Sequence, residues 1–236
     1  MAHCSRCLGG RSLDWDSACI QPLTVNRARE PAVNLALYWA LKWSAVNPTF
    51  RCYFRGRVYG AENVPCSGPV VVASNHASYF DPPLLSCCVR RPVAFMAKAE
   101  LFEVPLLSQG IRLYGAYPVK RAAADRSAIR AAVGALQQGW AAGIFLPGHR
   151  TPDGRIPEAK LGAAAIAHKA QAPLLPVSLW GTERILPPGA KLPRPVPVTV
   201  RIGEPLDPPQ ASKREALQAS ADACAAVVKA LHDRGR

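Results

Sequence analysis

Residues 69–85 read PVVVASNHASYFDPPLL, and the change of character within them sets the expected fold. Val70 to Ala73 is a short β-branched run, bounded by Gly68-Pro69 before it and Ser74-Asn75 after it. That pattern predicts a buried strand with polar residues at its carboxyl end. Asp81 precedes Pro82, Leu84 and Leu85, which reads as an N-cap with proline at the first position of a helix. His76 therefore lies between a strand end and a helix start, where α/β proteins bind ligands. A carboxylate at Asp81 can also reach the imidazole Nδ1, fix the tautomer and leave Nε2 as a base. A lone histidine is more often structural and an Asp before Pro more often a plain cap, so other elements must decide.

Outward from this stretch the chain alternates between strand and helix patterns. Val93–Ala97, Tyr114–Lys120, Ala142–Leu146, Pro173–Leu179 and Val196–Ile202 read as strands or extended runs. Helical periodicity runs from Arg126 to Gln138 behind an Asp125 cap, from Glu158 to Lys169, and from Ser212 to Leu231. The proline-rich Leu186 to Pro197 reads as a loop. The expected class is α/β, a single catalytic domain with a largely parallel central sheet flanked by helices. An N-terminal membrane-associating helical segment precedes it.

The chain has 236 residues, the size of one domain with appendages, and a net charge of +13 from 29 Lys+Arg against 16 Asp+Glu. The charge points to an anionic partner: nucleic acid, an acidic membrane surface or a phosphorylated substrate. No helix-turn-helix, zinc-finger or RNP-type pattern supports nucleic acid. Eight scattered cysteines read as free thiols in a reducing compartment. His3, Cys4 and Cys7 lack a second ligand pair, so no metal is expected.

Residues 1–30 show no sustained periodicity and are expected to be a mobile extension, without the apolar core of a secretory signal. Residues 31–60 are assigned to a membrane-associating helix with a basic linker, and 61–236 to the catalytic domain. Ala32 to Val46 is the most hydrophobic run of helix formers. At about 1.5 Å per residue it falls short of a ~30 Å hydrocarbon core, which disfavours a simple span. Tyr38, Trp39 and Trp43 with a snorkelling Lys42, followed by Arg51, Arg55 and Arg57, suit an anionic interface. The same run could instead be a core helix capping the domain.

Three further stretches carry chemistry. Gly115-Ala116-Tyr117-Pro118-Val119-Lys120-Arg121 ends on an arginine whose planar fork can grip a phosphate. Gly143 to Gly154 reads GIFLPGHRTPDG, where Gly148 allows close backbone approach and Arg150 offers a second guanidinium. Ala172 to Val177 reads APLLPV.

Asn75-His76 with Asp81 spells N-H-x-x-x-x-D, and this resembles the first motif of the glycerolipid acyltransferases, the 1-acylglycerol-3-phosphate acyltransferase family. Lys98 to Phe102 resembles that family's K-x-E-L-F segment, and Gly115, Val119 and Arg121 its G-x-x-F-I-x-R motif. Phe145, Gly148 and Arg150 match its F-P-E-G-T-R-S block, and Ala172 to Val177 is similar to its V-P-I-V-P-V strand. Pro147 stands where the family has glutamate and His149 where it has threonine, a departure expected to alter acceptor preference.

The resemblance implies fatty acyl transfer from acyl-CoA or acyl-carrier protein to a lysophospholipid hydroxyl, most simply lysophosphatidic acid giving phosphatidic acid in phospholipid biosynthesis. His76 and Asp81 would be catalytic. Asn75, Gly115, Arg121, Gly148, His149 and Arg150 would bind substrate. No cofactor is required beyond the acyl donor. Expected partners are an anionic membrane surface, the lysophospholipid and the acyl donor, with no nucleic acid. The protein is expected to be peripheral or monotopic on a membrane and to face the cytoplasm. The alternative is an inactive lipid-binding membrane adaptor that keeps the fold.

Overall fold

The computed structural model describes residues 32–103, 108–111, 116–119, 124–187 and 189–236. The expected N-terminal extension, with His3, Cys4 and Cys7, lies outside the described residues, as do Gly115 and Arg121. The sheet comprises β1 (Arg57–Tyr59), β2 (Val71–Ser74), β3 (Val93–Lys98), β4 (Ala116–Val119), β5 (Ala141–Phe145), β6 (Leu174–Trp180) and β7 (Thr199–Ile202). Among the described residues the α-helices of eight residues or more are α1 (Ala32–Leu41), α2 (Asp81–Cys88), α3 (Ala124–Gln137), α4 (Gly162–Ala170) and α5 (Arg214–Asp233).

Among the described residues seven strands run in the order β1-β7-β6-β2-β5-β3-β4. Every neighbouring pair is parallel except β6 and β7. β2 and β5 are central, with Ser74 opposite Phe145 on one side and Val177 on the other. The carboxyl ends of β2, β3, β4, β5 and β6 thus share one edge, the ligand-binding edge of open α/β sheets.

The apolar runs at β2, β5 and β6 follow from a sheet covered on both faces. Val70 and Val72 join one core with Leu84 and Leu85 of α2, Phe95, Leu175 and Val177. Val71 and Ala73 join the other with Ile144, Leu136 of α3, Ile166 of α4 and Val228 of α5. Buried Arg91 ties the segments outside the sheet, donating to the carbonyls of Pro65 at 3.0 Å, Gly68 at 2.7 Å and Gly139 at 3.3 Å.

Several element limits differ from those expected. α3 already includes Ala124, ahead of the Asp125 expected as its cap. α4 begins at Gly162 rather than Glu158, because the Lys160 N–H is drawn to the Leu146 carbonyl at 2.8 Å. β7 begins at Thr199, after Pro193, Pro195 and Pro197, which lack ladder donors.

The segment assigned to the membrane is also part of the folded body. Arg57–Tyr59, expected in a linker, is an edge strand paired with β7. Phe50 and Phe54 are buried in the core beneath α2. After α1 the helix widens, with the Asn47 N–H bonding the Lys42 carbonyl. Within this widened turn Lys42 is buried, only 2% exposed, while Trp43 is 52% exposed. Lys42 therefore does not snorkel; its Nζ sits 4.7 Å over the Trp39 ring. Tyr38 is wedged edge-on against Trp39 and Trp140. No helix among the described residues is long and apolar enough to cross a membrane.

Candidate active site

The loop between β2 and α2 carries Asn75, His76 and Asp81, and backbone chemistry explains how it is held. Asp81 was expected to cap α2. In the structure α2 begins at Asp81 itself, with Phe80 preceding it and no side-chain cap. The prolines at 82 and 83 have no N–H to offer a capping carboxylate, and the Leu84 N–H bonds the Phe80 carbonyl at 3.1 Å. The carboxylate turns backward instead. Its Oδ2 accepts the N–H groups of Ala77 at 2.7 Å and Ser78 at 2.8 Å. The same oxygen lies 2.8 Å from His76 Nδ1.

These contacts keep Asp81 acceptor-only toward the ring, so Nδ1 carries the proton and Nε2 is the basic nitrogen. Asp81 is fully buried, and the His76 side chain is 17% exposed. The imidazole is also fixed across its face, stacked on Phe145 with centroids 3.9 Å apart and planes at 14°. Phe95 continues the stack behind Phe145 at 5.9 Å. Gly143 makes room for this arrangement, since a Cβ there would lie 2.3 Å from the Phe95 ring.

Asn75 is placed differently from the expectation that it touches substrate. It is buried, and its Nδ2 donates to the carbonyls of Gly154 at 2.7 Å and Leu179 at 2.9 Å. Its Oδ1 accepts the Leu179 N–H at 2.8 Å. With donors and acceptor engaged inside the protein, Asn75 is a clasp beneath the histidine rather than a group presented to a ligand.

The loop after β5 is laced to the histidine loop. Phe145 and Gly148 close a turn, the Gly148 N–H bonding the Phe145 carbonyl at 3.0 Å. Gly148 has φ +73°, which disfavours any residue with a Cβ. Thr151 bonds the His76 carbonyl through its N–H at 2.8 Å and its hydroxyl at 3.1 Å. Arg150 donates to the Tyr79 hydroxyl at 2.8 Å, with its guanidinium carbon 3.5 Å from the Tyr79 ring centroid. Gly148, His149 and Arg150 are exposed and Pro147 is buried. Two of the sequence-matched stretches thus meet at the carboxyl ends of β2 and β5.

Sequence reasoning did not assign roles to Thr151, Tyr79 or Phe95, or a stacking role to Phe145. Their contacts cross between distant segments and leave no local period. His232 of α5 was missed for the same reason. It lies behind Asn75, 3.3 Å from the Ser178 hydroxyl, and burial lowers its pKa below the ordinary 6.5. The described residues hold no cluster of His, Cys, Asp or Glu fit for a metal.

Residues 55–180 match the family described as Acyltransferase. A 1-acyl-sn-glycerol-3-phosphate acyltransferase of Bacillus subtilis is 30% identical over 182 residues, covering 75% of this chain and 88% of the relative. The chloroplastic 1-acyl-sn-glycerol-3-phosphate acyltransferase BAT2 of Brassica napus is 31% identical over 143 residues, 59% of this chain. The match spans only 41% of that plant protein's length. Among solved structures, the 1-acyl-sn-glycerophosphate (LPA) acyltransferase PlsC from Thermotoga maritima superposes with a TM-score of 0.65 at 29% identity, covering 85% of this chain and 87% of that one. With the N-H-x-x-x-x-D geometry at the edge of a matching sheet, the chain belongs to the acyltransferase family.

Proposed function

We propose that this protein transfers a fatty acyl group from a thioester, acyl-CoA or acyl-carrier protein, to the free hydroxyl of lysophosphatidic acid, giving phosphatidic acid. The observation that carries the reading is the His76 imidazole, bound through Nδ1 to a buried carboxylate with Nε2 unbonded among the described residues. An alcohol is a weak nucleophile at neutral pH unless a base takes its proton during attack. His76 Nε2 accepts that proton as the hydroxyl oxygen attacks the thioester carbonyl carbon. The tetrahedral oxyanion collapses, the C–S bond breaks, and the departing thiolate receives the proton from the imidazolium. Asp81 holds the ring and stabilises the imidazolium, and the Phe145 face beneath it adds a cation–π contribution.

Arg121, Arg150 and His149 are the proposed contacts to the acceptor's phosphate, with Gly115 and Gly148 allowing backbone to approach it. Arg150 stands over Tyr79 in the histidine loop, which suits a phosphate held near the base. Pro147 has no side-chain acceptor, so a hydrogen bond to the acceptor's polar head must come from elsewhere in the loop. Attachment to an anionic membrane, facing the cytoplasm where acyl thioesters are expected, fits the exposed Trp43 and the arginines after it.

The decisive measurement supplies lysophosphatidic acid and labelled acyl thioester and analyses the lipid extract. Wild type should form phosphatidic acid. His76→Ala should lose kcat by on the order of a thousandfold with its melting temperature kept. Near-normal turnover by the variant would remove His76 as the base, and lipid binding without product by wild type would favour the adaptor.

A further inference from the structure

The proline-rich loop before β7 carries Leu192, at 77% exposure the most exposed large hydrophobic among the described residues. An isolated exposed leucine needs no explanation, but this one is held in a particular setting. Lys191 and Arg194 flank it, both exposed. The loop is fastened by the Arg194 N–H to the Ile185 carbonyl at 2.8 Å. It is also fastened to the N-terminal arm, the segment from α1 through β1 (residues 32–59). The Tyr53 hydroxyl donates to the Pro193 carbonyl at 2.7 Å, and Arg55 Nη2 donates to the Pro195 carbonyl at 3.1 Å.

The two segments therefore present one surface, and its charge has one sign. No Asp or Glu occurs from Lys42 to Ala61 or from Arg184 to Gly203. Such a surface mixes an apolar tip with the exposed cations Arg55, Lys191 and Arg194, the chemistry of an anionic lipid interface. A purely electrostatic protein partner would not call for the exposed leucine. The surface also connects to the histidine loop through rings packed edge to face. Tyr53 meets Phe54 at 5.2 Å, and Phe54 meets Phe80, the residue before Asp81, at 5.9 Å.

We infer that the Lys191–Arg194 loop is a second membrane contact, which inserts Leu192 among anionic lipids and is braced on the arm by Tyr53 and Arg55. This rests on the reading of the protein as membrane-attached and adds a contact remote in sequence from the arm. The test sediments the full chain with phosphatidylcholine vesicles, with and without phosphatidylglycerol. Leu192→Glu should lower the partition coefficient about tenfold or more on both vesicle types. Lys191→Glu with Arg194→Glu should weaken binding mainly to the anionic vesicles and flatten its salt dependence. Melting temperatures should not change, because these side chains are exposed.

Wild-type binding by both variants would overturn the inference while leaving membrane attachment through the arm intact. Failure of wild type itself to sediment would instead remove the membrane reading and the inference with it. If the charge reversals abolished binding of an acidic acyl-carrier protein and left vesicle binding untouched, the surface would be a protein-docking site and the inference would fall.

Discussion

A histidine base depends on a ring held in one tautomer and one orientation, and here two different forces do that work. The Asp81 carboxylate fixes Nδ1 in the ring plane, while Phe145 fixes the ring face. The carboxylate is legible in the sequence because its spacing from His76 is short and local. The stack is not, because it needs strand register to bring Phe145 opposite Ser74. Phe145→Leu should therefore lower kcat by roughly tenfold to a hundredfold with little change in KM, the pattern of a misoriented catalytic group. Gly143→Ala should do the same from behind, by pushing Phe95 against Phe145, and should also destabilise the fold by about 1–3 kcal/mol through overpacking. Steady-state kinetics beside thermal melts would check both; a kcat unchanged in Phe145→Leu would remove the ring's positioning role. For the phosphate, Arg150→Ala should raise the acceptor KM more than the donor KM, and Arg150→Lys should rescue only part because it loses the planar fork. Equal acceptor KM values across the three proteins would exclude Arg150 from the acceptor site.

Among the elements, α2 shows how a local signal can be read correctly for position and wrongly for role. Asp-Pro-Pro does open a helix, yet the prolines that mark its start also deprive Asp81 of capping partners, so the carboxylate serves the loop behind it. The N-terminal arm departs from its expected reading at Lys42, which is buried rather than snorkelling. Its composition is that of an interfacial helix, and only the widened turn at Lys42 decides which residues face inward. Burial of the Lys42 amine lowers its pKa from 10.5 to about 8, and its Nζ has no hydrogen bond among the described residues. Between those two values the unfolded chain binds the Lys42 proton and the folded chain does not, so this residue makes stability rise with pH across that window and disfavours folding below it. The buried thiol of Cys88 has a raised pKa and opposes the trend above about pH 9, since it must stay protonated in the fold. The Lys42 contribution is thus read as a difference. Lys42→Met should be more stable than wild type at pH 7, by up to ~3 kcal/mol, with the gap closing by pH 10.5. Denaturant melts of both proteins across this range measure it, and a constant gap would show that the amine is charged and solvated.

Across the whole molecule, the alternation of strands and helices made the α/β class legible, and the strands' near-continuous apolar character foreshadowed a sheet covered on both faces. The covering of the α2 face was not legible, because the arm supplies part of it. Phe50 and Phe54 belong to the same core as Val72 and Leu85, so removing the arm would expose core, and its deletion cannot isolate a membrane role. Single substitutions can, because the arm has an inner and an outer face. Phe50 is 3% exposed and Trp43 is 52% exposed. Phe50→Ala should destabilise the protein by about 3–5 kcal/mol, as large aromatic truncations in cores do, and should leave the vesicle affinity of the remaining folded protein unchanged. Trp43→Glu should do the reverse, keeping the melting temperature within a few degrees while weakening binding to anionic vesicles by about tenfold or more. Calorimetry paired with vesicle sedimentation separates the two. If Trp43→Glu lost stability as severely as Phe50→Ala, the outer face of the arm would be covered in the folded protein, and attachment to the membrane would have to pass through another surface.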